Sequence, residues 1–190
     1  MKKFSLLSRL LLIAACSVSL SGIAQAEEVY FLRGGFDVFS TGMNQMAARL
    51  RKEGINAKAA SFAGWRGIAD DIIRRSKTRS VSYPIIVLGH SFGGDAGPDF
   101  ANYLGKHKIP VALVVGFDAL SGKTLRDGAS SVINFRTTTG GRYRAASGFR
   151  GRIREVSAAE FGSNHFNIEE NRDLQNLALE AVRAEIRKRP

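Results

Sequence analysis

The stretch PIIVLGHSFGGD, Pro84 to Asp95, is the most informative part of the chain, because an apolar run ends there in a segment with three glycines, a histidine and a serine. Four consecutive apolar residues, three of them β-branched, predict a central strand that is covered on both faces. A helix is expected to follow, so Ser91 falls on the turn between strand and helix. Gly89 and Gly93 would allow that turn to be tight, because neither carries a Cβ atom.

Short runs rich in Val and Ile alternate with segments of helical periodicity along the rest of the chain, which is typical of crossover units around a parallel sheet. We predict an α/β three-layer sandwich within residues 27–190, with a mostly parallel sheet of about six strands and helices on both faces. The predicted strands lie within residues 28–35, 55–62, 83–90, 110–118, 131–137 and 151–157, and the predicted helices within 41–55, 67–76, 99–107 and 167–189.

Two of these helices carry more detailed expectations. Asn167 is a good N-cap residue for the last helix, and Glu169 and Glu170 would then lie in its first turn, where the helix dipole favours acidic groups. Pro98 falls several residues into the helix after Ser91, where it removes one backbone hydrogen bond. We therefore expect a kink, or the start of a new helix, at Pro98.

The first 26 residues are typical of an export signal rather than of a folded domain. Three basic residues precede an apolar stretch that is short for a membrane span, and small residues at Ala24–Ala26 suit cleavage before Glu27. An alternative is a lipid-anchored form that begins at Cys16, because IAAC at 13–16 resembles a bacterial lipobox. Cleavage before Glu27 predicts a periplasmic or secreted protein without cysteine, which excludes disulfides and thiol chemistry.

The pattern Gly89-His90-Ser91-Phe92-Gly93 fits G-x-S-x-G, with a strand before it and a helix after it. On such a turn the serine oxygen is exposed, and the Phe92 amide at the start of the helix can bind an oxyanion. Here the chain resembles the α/β-hydrolase family, and its size resembles that of the small lid-less lipases and esterases of that family. This resemblance implies a catalytic triad in the chain order serine, acid, histidine.

Residues in the required order follow Ser91. Asp118 comes directly after the predicted strand at 110–118, and His165 lies in a loop before the last helix. We predict Ser91 as nucleophile, His165 as general base and Asp118 as the acid that orients the imidazole, with Asp127 as the substitute acid. The resemblance also implies a second oxyanion donor after the first strand, the amide of Gly35 or Phe36, although Arg33-Gly34 stands where many relatives have His-Gly.

The charge of the chain suggests anionic partners. The sequence has 28 basic and 17 acidic residues, and its basic face could contact a membrane surface or remain only a solvated surface. Arg142 and Arg144 lie in an arginine-rich segment between Asp118 and His165, so we predict that they could bind a phosphate or carboxylate of the substrate. Export argues against a nucleic-acid partner, and no stable protein partner is implied.

The expected function is that of an exported serine hydrolase acting on a small-molecule or lipid ester, neutral or anionic. No cofactor and no metal is expected, because the three histidines lack a paired spacing for zinc. Two alternatives stay open at this stage. One is a thioesterase, which the same GHSFGG pattern resembles, and the other is a non-catalytic protein of the same fold that binds anionic ligands.

Overall fold

The computed structural model describes residues 27–35 and 40–188. The predicted leader with Cys16, and the candidate donor Phe36, lie outside the described residues. The strands are β1 (Glu28–Arg33), β2 (Ala57–Ser61), β3 (Ile85–His90), β4 (Val111–Phe117), β5 (Thr124–Leu125), β6 (Ala129–Arg136), β7 (Arg144–Ala145) and β8 (Arg152–Ser157). The α-helices are α1 (Thr41–Lys52), α2 (Trp65–Ser76), α3 (Phe92–Lys106) and α4 (Arg172–Arg187).

Six of the strands form one parallel sheet in the order β2-β1-β3-β4-β6-β8. Helices α1 and α4 pack on one face and α2 and α3 on the other, each pair with its own hydrophobic core. The predicted fold class, a three-layer α/β sandwich with about six parallel strands, is confirmed. All six residues of β3 are buried, as expected for a central strand covered on both sides.

The order of the strands determines where a functional site can form. β3 and β4 are neighbours at the centre of the sheet, and their carboxyl ends point to the same edge. Their loops therefore meet there, close to the end of β1 on one side and of β6 on the other. Sites of open parallel sheets collect at this edge, outside the carboxyl ends of the strands.

The expectation of a new helix at Pro98 is wrong, because α3 continues through Pro98 from Phe92 to Lys106. The alternative expectation, a kink at Pro98, stays a prediction. A proline at this position cannot donate to the carbonyl of Gly94, four residues earlier. The hydroxyl of the buried Tyr143 donates to that carbonyl instead, at 2.5 Å. A side chain from a distant segment thus replaces the missing backbone bond and keeps the helix intact.

The predicted start of the last helix at Asn167 is also wrong. α4 begins at Arg172, and its N-cap is Asn171, whose side chain accepts from the amides of Asp173 and Leu174. Asn167 lies in a preceding series of turns, where its side-chain oxygen accepts from the Asn164 amide. Turn formation competes with the helix here, because asparagine side chains bond to nearby amides.

Two further observations complete the fold. β5 and β7 form a small parallel pair at the side of the main sheet, which the sequence analysis did not predict. Among the helices within the described ranges, none is both long enough and apolar enough to cross a membrane.

Candidate active site

Ser91 lies on a sharp turn between β3 and α3. Its φ and ψ are 57° and −119°, a strained conformation for a residue with a side chain. Its amide donates to the carbonyl of Phe117 at the end of β4, at 3.0 Å. A Cβ atom on Gly89 would lie 2.0 Å from the carbonyl oxygen of Gly93, and one on Gly93 would lie 2.1 Å from that of Leu32. Residues 89–93, called the serine turn below, therefore require both glycines.

Asp118 stands directly after β4 and is only 1 % exposed. It has a positive φ of 47°, and its amide donates to the Phe135 carbonyl at 2.7 Å, which holds the residue against the end of β6. One carboxylate oxygen accepts from the amide and hydroxyl of Thr137, at 2.7 and 2.9 Å. These hydrogen bonds satisfy a buried carboxylate and fix its direction.

His165 lies in a loop of turns between Gly162 and Asn171, called the histidine loop below. Its Nδ1–H donates to the other oxygen of Asp118, at 2.7 Å. The imidazole is partly exposed, whereas the carboxylate beneath it is buried. The hydrogen bond leaves Nε2 with the lone pair, which is the tautomer that a general base requires.

The substitute acid Asp127 and two other titratable residues, Asp95 and His107, lie elsewhere. Asp127 bonds to the Gly128 amide just before β6, at the opposite edge of the sheet, so it cannot replace Asp118. Asp95 accepts from the Ser121 amide at 3.0 Å, and burial raises its pKa. His107 ends α3 with its ring against Tyr103. None of the three approaches the histidine loop.

A cavity of about 390 Å³ opens at this edge of the sheet. Ser91 and His165 both contribute to its wall. The full set of lining residues is Gly35, His90, Ser91, Phe92, Leu120, His165 and Phe166. The structure thus brings Ser91, Asp118 and His165 to one place.

Two residues that line this cavity, Phe92 and Gly35, carry the backbone amides predicted as oxyanion donors. Phe92 is the first residue of α3, where an amide has no acceptor within the helix. A Cβ atom on Gly35 would lie 2.9 Å from the Phe92 ring, so the loop after β1 packs directly on the serine turn. The Gly34 amide is already used, because it donates to the Ser40 hydroxyl at 2.9 Å. Gly35 therefore remains the candidate second donor among the described residues.

His90 connects the two loops that surround Ser91. Its Nε2 is 2.9 Å from the carbonyl oxygen of His165, which can only accept, so Nε2 carries the proton. Its Nδ1 then accepts from the Ser40 hydroxyl at 2.9 Å. Burial lowers the pKa of His90 to about 4, which keeps the ring neutral. A buried neutral histidine thus ties the loop after β1 to the backbone of His165.

Arg142 and Arg144 do not line this cavity. Arg144 lies in the exposed strand β7, and its backbone pairs with that of Thr124 in β5. The guanidinium of Arg144 and the carbonyl of Arg142 lie close to Gly122, two residues beyond the cavity residue Leu120. Their predicted role in binding an anion stays a prediction.

The sequence analysis missed three residues that support the site, Thr137, His90 and Ser40. Thr137 comes directly after β6, so its position at the carboxyl edge of the sheet was a usable signal. His90 precedes Ser91 directly, but nothing in the sequence indicates its contact with the His165 carbonyl. Ser40 has no local pattern that would indicate its partner fifty residues away.

Comparisons with known proteins add little to this geometry. No family model matches the chain. No curated protein matches it either. Among solved structures, the chain is similar to a protein from Xanthomonas campestris pv. campestris described as a proposed hydrolase of the alpha/beta superfamily. That likeness has a TM-score of 0.48 and 13 % sequence identity, and it covers 83 % of this chain and 99 % of the other.

Proposed function

We propose that the protein is a serine hydrolase that cleaves a carboxylic ester through a covalent acyl-enzyme. The observation that supports this most directly is the 2.7 Å hydrogen bond from His165 to the buried Asp118, at a cavity that Ser91 also lines. A serine in strained backbone geometry at the end of a central strand is the second part of the argument.

The chemistry follows from the tautomer of His165. As Ser91 Oγ bonds to the ester carbonyl carbon, its proton moves to His165 Nε2 and an electron pair moves onto the carbonyl oxygen. When the carbonyl re-forms, the bond to the alcohol breaks and the alcohol leaves with that proton. Water then attacks the acyl-enzyme in the same way, with His165 as base, and releases the acid and Ser91.

The developing oxyanion would be bound by the amides of Phe92 and Gly35, with Phe36 retained as an alternative to Gly35. Loss of one such donor typically costs about 3 kcal/mol of transition-state stabilisation. Asp118 would stabilise the imidazolium form of His165 during the reaction, because the Asp118 carboxylate is buried and water does not screen its charge. A thioester carbonyl could react by the same steps.

The place of action is part of the proposal. An exported protein is proposed from the leader-like residues 1–26 alone. N-terminal sequencing of the protein recovered from cells would distinguish cleavage before Glu27 from a lipidated Cys16.

Labelling by a fluorophosphonate probe tests the enzymatic proposal. The wild type should label at a single serine, and Ser91→Ala should not label. Ser130→Ala is the matched control, because Ser130 is an exposed serine in β6 near the opposite edge of the sheet, and it should label like the wild type. Asp118→Asn should slow labelling roughly 10³- to 10⁴-fold, because the asparagine favours the wrong tautomer of His165.

Other results would reject the proposal. If folded wild type does not label, the site is not an activated serine, and the non-catalytic ligand-binding alternative takes its place. If Ser91→Ala labels as fast as the wild type, a different residue carries the reaction.

A further inference from the structure

The rim of the cavity is unusually apolar for an exposed part of this basic protein. Phe92, Leu120 and Phe166 are 45 %, 45 % and 75 % exposed, and all three line the cavity beside Ser91. They are three of the four large hydrophobic residues with high exposure in the described part of the chain. Contiguous exposed apolar side chains of this kind mark ligand-binding surfaces.

The apolar surface continues away from the cavity on the side of α2. The ring of Phe92 stacks on that of Phe62, with centroids 5.1 Å apart and planes 21° from parallel. Phe62 begins the short 3₁₀ turn after β2 and is half-buried, so it supports the Phe92 ring from below. The four residues Phe62, Phe92, Leu120 and Phe166 are called the apolar rim below.

The cavity wall contains no permanently charged side chain among the described residues. Its titratable members are His90 and His165, and burial lowers the pKa of His90 to about 4, so that ring is neutral at ordinary pH. A charged substituent would lose hydration here without gaining a permanently charged partner among the described residues of the wall. A neutral apolar substituent would instead remove both its own surface and that of the rim from water.

We propose that the apolar rim binds the hydrocarbon part of the ester, so that the substrate class is that of neutral alkyl or aryl esters. This inference rests on the proposed function. A cavity of about 390 Å³ lies within the ordinary size range of small-molecule sites and suits a substituent of medium length. The hydrocarbon group can belong to the acyl side or to the alcohol side of the ester.

Two substrate series distinguish binding of the acyl side from binding of the alcohol side. The first varies the acyl group in p-nitrophenyl acetate, butyrate and hexanoate, and the second varies the alcohol in ethyl, butyl and hexyl acetate, all below the concentration at which the ester aggregates. Full burial of one methylene corresponds to roughly a fourfold gain in affinity, and partial burial to about twofold. We expect kcat/KM to rise at least tenfold along one series.

Variants of the rim locate the effect. In the series that shows the rise, Phe166→Ser and Leu120→Ser should each reduce the ratio of kcat/KM for the longest ester to that for the shortest by about threefold, and the double variant by more. Tyr83→Ala is the matched control, because Tyr83 is 43 % exposed but lies two residues before β3, at the opposite edge of the sheet. Its ratio should equal that of the wild type, and thermal unfolding of each variant shows whether it is folded.

The failures of the two proposals can be told apart. If Ser91 labels with a fluorophosphonate but kcat/KM is flat in both series, the enzyme stands and the apolar rim has no role in binding. If p-nitrophenyl succinate reacts faster than the butyrate, and Arg142→Gln with Arg144→Gln removes that preference, the arginines determine the substrate class instead. If nothing labels Ser91, both proposals are rejected.

Discussion

The serine turn and the histidine loop meet at one cavity but are held in place differently. Ser91 and Asp118 stand at the ends of adjacent central strands, and their amides donate to carbonyls of neighbouring strands. His165 lies on no strand or helix, and two side chains from elsewhere, Asp118 and His90, hold its ring and its carbonyl.

Because of this difference, we expect the serine turn to be the rigid part of the site and the histidine loop to be the adjustable part. Main-chain contacts at the ends of buried strands can be lost only by displacing the sheet, so the serine turn is as stable as the core. Contacts of the histidine loop depend on individual side chains, some of which titrate. We therefore expect substitutions in the two regions to differ in kind as well as in size.

Among substitutions that leave Ser91, Asp118 and His165 unchanged, the largest expected effect is that of Gly93→Ala in the serine turn. The new Cβ would lie 2.1 Å from the carbonyl oxygen of Leu32, so the turn or β1 has to move. Overpacking of this kind costs about 3 kcal/mol, and displacement of Ser91 by about 1 Å costs roughly a hundredfold in rate. Chemical denaturation and fluorophosphonate labelling rates measure both effects.

Gly67→Ala is the control for that substitution. Gly67 lies within α2, and a Cβ atom there meets no other atom within 4 Å. Alanine should stabilise the helix by roughly 0.5–1 kcal/mol and leave the labelling rate unchanged. Equal behaviour of the two variants would mean that the serine turn is not sterically constrained.

The next effect is the pH dependence of stability that arises from Glu169 in the histidine loop. Glu169 is fully buried beside the amino end of α1, its carboxylate oxygens lack a hydrogen bond of good geometry, and burial raises its pKa to about 8. Between pH 4.5 and 8 the unfolded chain is therefore ionised at this residue while the folded protein is protonated. Folding then binds a proton, and the free energy of unfolding falls as the pH rises through this window.

Glu169→Gln should remove this dependence, because the amide stays neutral. We expect the variant to be more stable than the wild type by roughly 2–3 kcal/mol at pH 8 and by much less at pH 5. Denaturation curves at both pH values test this. A difference in stability that is the same at pH 5 and pH 8 would show that Glu169 does not titrate in this range.

His90→Leu tests the connection between the two regions. Leucine removes the bond to the His165 carbonyl and leaves the Ser40 hydroxyl without its acceptor. We expect kcat to fall roughly 10- to 100-fold with little change in KM, because a displaced His165 affects proton transfer more than substrate binding. His90→Gln, which can still donate to the carbonyl, should recover part of kcat. Loss of stability without a change in kcat would assign His90 a structural role only.

The smallest effect is expected for Tyr143→Phe, which leaves the Gly94 carbonyl in α3 without a donor. A buried unpaired carbonyl costs about 1–2 kcal/mol of stability. Pro98→Ala restores an amide that can bond to Gly94, so Tyr143→Phe should cost less in that background. A double-mutant cycle by denaturation measures the coupling. Additive effects would mean that Tyr143 does not compensate for Pro98.

Much of the fold was predictable because it is expressed in local patterns. The apolar runs of β1, β3 and β4 identify buried strands wherever they pack, and the alternation with helical periodicity indicates a parallel sheet. The positions of Ser91 and Asp118 follow from the same patterns, since each stands at the end of such a strand. The start of α4 at Arg172 was not predictable in this way, because Asn167 and Asn171 are equally good caps.

The sequence by itself determined the chain order of the six main strands and the four α-helices, the serine turn with its two required glycines, and the candidates Ser91, Asp118 and His165. Only the tertiary structure decided that Tyr143 completes α3 at Pro98, that His90 and Ser40 hold the histidine loop, and that the apolar rim surrounds the cavity. The physical reason is distance along the chain. Hydrogen bonds such as that from Tyr143 to Gly94 join residues 49 positions apart, and they leave no periodicity or spacing in the sequence between them.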